Sequence, residues 1–195
     1  MNKSKSTWII LGVVAVIALW AISSYNGLVG QEEDMEKYWA NVEAQYDRRA
    51  NLVPNLVNVV KGYAKHEQET LDKVVSARAK ATQITVDPTN LTAESLKKYQ
   101  EAQGELGSAL GKLLAITENY PDLKANENFL QLQAQLEGTE NRITVERKTF
   151  NEVAQTYNSA IRQFPGNILA GMFGFERKPY FEAESGAEKA PKVEF

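Results

Sequence analysis

The sequence of 195 residues holds one histidine, His66, and no cysteine, which narrows the chemistry open to it before any fold is considered. His66-Glu67 opens as a zinc-protease motif does, but that motif needs a second histidine one helical turn on, and Thr70 stands there. The same shortage removes the Glu-x-x-His pairs of di-iron bundles. The lack of cysteine removes thiol nucleophiles, iron–sulfur clusters, zinc knuckles and disulfide scaffolds together. The carboxylates Glu32, Glu33, Asp34 and Glu36 read as a solvated helix face. There is no G-x-S-x-G, and Gly107, Ser108 and Gly111 stand where a bundle helix uses small residues for close packing. P-loop and G-x-G-x-x-G patterns are also missing, so no catalytic residue, metal or cofactor is expected. Arg48 and Arg49 could grip a phosphate or a carboxylate, but a surface ion pair with nearby acids is the expected role.

Whatever these residues do, helices must position them. Apolar residues recur at steps of three and four through Met35, Trp39, Val42, Tyr46, then Val53, Leu56, Val60, Tyr63, and later Leu71, Val74 and Ala81. A turn-like stretch holds Asp87, Pro88 and Asn90, with Thr92 placed to cap a helix. The rhythm then returns at Leu96, Tyr99, Gln103, Leu106, Leu110, Leu113, Thr117 and Tyr120, and Pro121-Asp122 interrupts it. A third run after Asn126 passes Phe129, Leu132, Leu136, Thr139, Ile143, Glu146, Phe150, Val153, Tyr157, Ala160 and Phe164 before Pro165-Gly166. No segment alternates as a half-buried strand does. The expected fold is therefore all-α, an up-and-down bundle over residues 34–182 with three long helices, the first kinked or split at Pro54 to give four. Pro54 removes a hydrogen bond and crowds the carbonyl of Ala50. Either Asn51 caps a new helix, or one kinked helix spans residues 34–84, which the unbroken phase of the stripe favours. Matching helix ends across the short turns brings Arg78 level with Glu146, and a register-fixing ion pair between them is expected.

Before the bundle lies a different composition. From Trp8 to Ile22 no side chain is charged, and Trp8, Ile9, Ile10, Leu11, Val13, Val14, Val16, Ile17, Leu19, Trp20 and Ile22 form the apolar body of an expected transmembrane helix over residues 7–25. Trp8, Trp20 and Tyr25 sit near its ends, where amphipathic rings prefer the headgroup layer. A cleavable signal peptide fits less well, because Trp20 and Ile22 are poor neighbours for a small-residue cleavage site. Residues 1–6 form a short basic N-terminus with Lys3 and Lys5, and residues 26–33 read as a juxtamembrane linker. Those two lysines are the only charged side chains in residues 1–25, so the remainder holds 20 of the 22 basic groups and all 25 acidic ones. Lys3, Lys5 and the α-amino group precede the span, whereas the first twenty residues after it hold one basic residue, Lys37, against Glu32, Glu33, Asp34, Glu36 and Glu43. This flanking bias predicts a single-pass protein of the bacterial plasma membrane with the N-terminus inside and the bundle on the non-cytoplasmic side. The formal charge of −3 argues against a nucleic-acid partner.

The end of the chain is apolar again. After Phe164-Pro165-Gly166, the residues Ile168, Leu169, Met172, Phe173 and Phe175 form a glycine-punctuated patch. It either folds back to cap the bundle end or docks on a partner or a membrane surface. Residues 183–195 read as a disordered tail.

The motifs themselves resemble a family. Tyr25-Asn26-Gly27-Leu28-Val29, the run from Arg48-Arg49 to Pro54-Asn55-Leu56-Val57, Lys61-Gly62-Tyr63-Ala64-Lys65-His66-Glu67 and Ala77-Arg78-Ala79 are similar to those of the LemA family of bacterial membrane proteins. Leu136-Glu137-Gly138-Thr139-Glu140-Asn141-Arg142-Ile143, Tyr157-Asn158, Phe164-Pro165-Gly166-Asn167 and Gly174-Phe175 follow in the same order, so the resemblance covers residues 8–182. It implies one N-terminal span and a four-helix type of bundle, supplies no reaction or catalytic residues, and leaves a cytoplasmic bundle as the alternative orientation. The expected function is a non-enzymatic, membrane-anchored scaffold or adaptor. Its expected partners are the lipid bilayer, an envelope protein and, as a further option, a second copy of the chain. The alternative is a tethered sensor or a module binding lipid or a small ligand.

Overall fold

Residues 3–182 are described by a computed structural model, as six α-helices with no strand among the described residues. Met1, Asn2 and the whole of the expected tail, residues 183–195, lie outside the described residues. The first helix, α1 (Lys3–Tyr63), has 61 residues, about 90 Å at 1.5 Å per residue. It holds one segment long and apolar enough to cross a membrane by length and composition, and none of that segment is buried. Residues 26–33 are not a separate linker, because α1 runs through them. No proline interrupts them, and the ~1 kcal/mol helix penalty of each of Gly27 and Gly30 is offset by Leu28, buried in one cluster with Ile161 and Ala170.

Four principal helices form the bundle; the favoured course through Pro54 is what the structure shows, but the helix does not run on to residue 84, and the division falls at residues 64–67, between α1 and α2 (Gln68–Gln83). Pro54 stays inside α1 with its ring exposed. The carbonyl it deprives of a helical partner, that of Ala50, accepts a hydrogen bond from Arg78 Nε at 2.8 Å. A side chain from the next helix thus replaces the missing backbone donor. The reversal at residues 64–67 is secured from outside: Tyr120 Oη donates to Glu67 Oε1 at 3.0 Å, and Asn126 Nδ2 donates to Tyr63 Oη at 2.9 Å.

The remaining helices start where their caps say. Thr92 and Ser95 form a reciprocal capping box at the start of α3 (Ala93–Thr117), and Pro121 opens the single turn of α4 (Pro121–Lys124). The Asn126 side chain accepts the Phe129 N–H at the start of α5 (Glu127–Ala160), and α6 (Gly166–Phe173) follows the long helix closely. Gly166 is required there, since a Cβ would collide with the Ala160 carbonyl oxygen. Gly174 ends α6 in the left-handed conformation at φ +77°.

Beyond Gly174 the chain runs back along α5 as an extended strap held by two asparagines. Asn158 Nδ2 donates to Lys178 O while its Oδ1 accepts the Lys178 N–H, and Asn151 repeats the pattern with Phe181. Phe181 fills the space between Trp39, stacked at 5.8 Å, and Phe150 at 5.3 Å. Lys178 Nζ reaches Glu32 Oε1 at 2.8 Å, tying the strap to α1.

The long helix α1 packs along α5 and α2, and α2 packs along α3, while α3 and α5 do not close on each other. The core is in two parts. One cluster, near the apolar end of α1, centres on Trp39, Tyr46, Tyr99, Phe150 and Tyr157. The distal cluster centres on Val53, Val60, Val74, Leu106, Leu113 and Phe129.

If Arg78 serves the carbonyl that Pro54 orphans, Arg78→Ala should cost about 1–3 kcal/mol of unfolding stability. In a Pro54→Ala background residue 54 supplies its own N–H and the cost should shrink. Urea melts of the four variants in a double-mutant cycle check this, and additive costs would refute the coupling.

Candidate interaction groove around a buried arginine

Between the two core clusters lies a layer of polar side chains, and Arg49 is its centre. Only 4% of Arg49 is exposed. Its Nη1 donates to Glu140 Oε1 at 3.0 Å and Oε2 at 3.2 Å, and its Nη2 donates to Gln103 O and Gln103 Oε1, each at 2.8 Å. The guanidinium also lies over the Tyr46 ring at 5.0 Å. Gln103 Nε2 passes the chain of bonds on to Ala81 O at 3.4 Å. Arg49 therefore joins α1, α3 and α5, and Gln103 joins α2. A planar five-donor fork suits that task, where the point charge of a lysine would not. Gly107 makes room for it, since a Cβ there would touch Arg49 Nη1 at 3.4 Å.

Above this layer the gap between α3 and α5 is an open groove of about 1180 Å³. Its floor holds Tyr46 and Arg49, Gly104, Ser108 and Gly111 line the α3 wall, Glu137 and Asn141 line the α5 wall, and Arg147 with Glu182 lies at one end. Of the small residues expected to serve close packing, Gly107 does so against Arg49, whereas Gly111, like Gly104, faces open space. A Cβ added at Gly104 or Gly111 would meet nothing within 4 Å, so they leave the wall low and the backbone accessible.

Burial, reinforced by Tyr46, Glu43 and Asp47, pushes the Tyr99 phenol well above its ordinary value, so it stays protonated. Burial also pushes Tyr157 up to about 12, with Glu32 and Glu176 adding to the shift. Glu43 is raised from its ordinary 4.5, first by burial and then by the like charge of Asp47. Among the described residues no group of three or more His, Asp or Glu is arranged to hold a metal ion. His66 is exposed in the distal α1–α2 reversal, a different part of the bundle from Ser108.

The expected pair of Arg78 with Glu146 is not what the structure shows. Arg78 serves Ala50 O, and the carboxylate that joins the layer is Glu140, paired to Arg49. The physical reason is lateral: α2 packs on α3 and α1, whereas α5 packs along α1. Arg49, expected on the surface, is buried, while Arg48 is exposed. The signal was present, because the stripe skips from Tyr46 to Val53 and Arg49 with Ala50 fills the gap. The apolar anchor residues from Trp8 to Ile22 are all exposed. In the C-terminal patch Leu169 is buried, Phe175 is half-buried, and Ile168, Met172 and Phe173 face outward.

Residues 38–195 match the model of the LemA family. The chain belongs to the LemA family. Its relatives include magnetosome protein MamQ 2 of Paramagnetospirillum magneticum and magnetosome protein MamQ of Magnetospirillum gryphiswaldense. Each is 30% identical over 196 residues, covering 92% of this chain and 72% of the relative. Protein LemA of Metamycoplasma hominis is 27% identical over 158 residues, covering 81% of this chain and 68% of its own. The family's motifs in this chain have physical duties. Arg49, Pro54, Arg78 and Glu140 build the polar layer, Tyr63 and Glu67 secure the distal reversal, Asn158 holds the strap, and Gly166 and Gly174 shape α6.

Two measurements probe the layer. Arg49→Lys should cost about 1–3 kcal/mol, because a single ammonium cannot serve Glu140 and Gln103 together. Urea melts that match wild type would refute it. For Glu43 the native pKa lies above the unfolded one, so its contribution is present below pH 4.5 and is lost as pH rises through the native value. Glu43→Gln should therefore raise the melting temperature at pH 7 and change little well below pH 4.5. An equal shift at both pH values would contradict this.

Proposed function

We propose that this LemA-family chain is a membrane-anchored, non-enzymatic scaffold or adaptor that holds a partner protein against the groove between α3 and α5. The observation that carries the reading is the unbroken course of α1 from its apolar segment into the bundle core. A groove carried on one continuous helix is held at a fixed height above the bilayer, and anchoring raises local concentration enough to make weak contacts useful. The charge bias around the span supports a bundle outside the cytoplasm. On the rim of the groove Glu101 and Glu137 stand beside Lys97 and Arg147, while Glu140 is paired to Arg49 and Glu105 to Lys80, which favours a partner segment of small residues with mixed charge. The relatives' names print a cellular structure or the family rather than a reaction, in keeping with an adaptor.

A photocrosslinking amino acid placed at Gly104 or Gly111 in living cells tests this directly. The expected result is one and the same protein captured from both positions, absent when the probe sits at Leu130 on the distal surface, and lost from Gly104 when Gly111→Trp fills the groove. Adducts to a small molecule alone would favour the ligand-binding alternative. Equal capture from all three positions would remove the groove from the account.

A further inference from the structure

Outside the candidate span, four of the exposed large apolar side chains gather on α6 and the turn that precedes it. Phe164 is 80% exposed, Met172 72%, Phe173 56% and Ile168 50%. Ile168 and Met172 stand one helical turn apart on α6 with Phe173 adjoining, and Phe164 lies in the turn just before the helix. On the other side Leu169 and Ala170 are buried, Ala170 in the cluster with Leu28 and Ile161. The outward direction of this face is therefore set by the core and is not free to turn inward.

The height of α6 follows from the register of α5 on α1. The two run antiparallel, with Glu140 at Arg49, Phe150 at Trp39 and Ile161 clustered with Leu28. Continuing that climb brings Phe164 and α6 to the level of Tyr25. The rings agree: Phe173 lies 4.8 Å from Tyr25 and Phe175 lies 5.7 Å from it. Tyr25 is the residue that closes the apolar segment of α1. Gly174 then turns the chain, and the strap descends away from that level, from Asn158 to Asn151. So α6 is the uppermost part of the bundle, beside the point where α1 leaves its apolar segment.

Charge is distributed to match. From Val153 to Phe175 the chain has no acidic side chain, and α1 has none before Glu32. The one charge in the first of those stretches is Arg162, and Arg177 follows just beyond α6. Both are exposed. Glu176, exposed beside Arg177, offsets that cation, so it is the apolar face itself, with Arg162 next to it, that suits the headgroup boundary of a bilayer.

We propose that the exposed face of α6 rests in the interfacial layer of the same bilayer that α1 crosses, giving the bundle a second, in-plane membrane contact. The proposal rests on the reading of α1 as a span. Two attachments that are not collinear stop the bundle from turning freely about α1, so the groove faces one fixed direction along the membrane surface.

The absence of cysteine makes the test direct. Single variants Met172→Cys, Ile168→Cys, Val14→Cys and Leu130→Cys of the full chain, each carrying an environment-sensitive fluorophore, are reconstituted in vesicles of phosphatidylcholine and phosphatidylglycerol containing lipid-borne quenchers at shallow or deep positions. Shallow quenchers should dim the label at 168 and 172, deep quenchers the label at 14, and neither the label at 130, an exposed leucine on the distal half of α5. Quenching at 14 without quenching at 168 and 172 overturns the proposal and leaves the span standing. No deep quenching at 14 overturns the span reading and, with it, the proposal as stated. Disulfide-linked dimers of unlabelled Met172→Cys overturn it in favour of a second copy covering the patch.

Discussion

A guanidinium withdrawn from water is the constraint around which this bundle is arranged. Arg49 must satisfy its donors inside the protein, because a buried charge without partners would cost several kcal/mol. Its two terminal nitrogens are satisfied because α3 presents Gln103 and α5 presents Glu140 at the same height, while the buried Nε has no hydrogen-bond partner among the described residues. An apolar core tolerates sliding by a turn, since one leucine packs much like another, but this layer does not. It divides the interior into an aromatic-rich half near the apolar end of α1 and an aliphatic half at the distal reversal. The same layer explains why α3 and α5 stand apart. Arg49 spans the distance between them with a side chain, and Gly107 leaves it room.

Pro54 belongs to the same system. A proline in mid-helix ordinarily breaks or bends the chain because a carbonyl loses its partner. Here Arg78 supplies the missing donor from α2, so a local defect becomes a contact that orients one helix on the next. Two arginines, one on each of the first two bundle helices, thus do different work at nearly one level: Arg49 joins α1 to α3 and α5, and Arg78 joins α2 to α1.

The end of the bundle near Tyr25 is closed by a different device. The strap after α6 offers backbone rather than side chains, and Asn151 and Asn158 meet it with both halves of their amides. This lets an extended segment pack against a helix without leaving buried polar groups unmatched. Phe181, seated between Trp39 and Phe150, then completes the aromatic core. Without the strap, that half of the core would lie open along α5.

Periodicity is enough to recover the helical class, the apolar segment, the cap at Thr92, the start of a helix after Asn126 and nearly every buried aromatic residue, because those depend on local spacing that one chain displays along its length. It carries the first bundle helix through Pro54 but on to residue 84, missing the reversal at residues 64–67, because that reversal depends on Tyr120 and Asn126 arriving from elsewhere. It also paired the wrong ions. Arg78 and Glu146 are each well placed on their own stripes, but which helix stands beside which is a lateral choice that spacing along the chain does not encode. The sequence by itself determined that helices form and which faces they bury. Only the tertiary structure decided that Arg49 goes inside, that α3 and α5 leave a groove, and that α6 rises beside Tyr25. Each of those outcomes requires groups dozens of residues apart to satisfy one another's charge, hydrogen bonds or apolar surface at once.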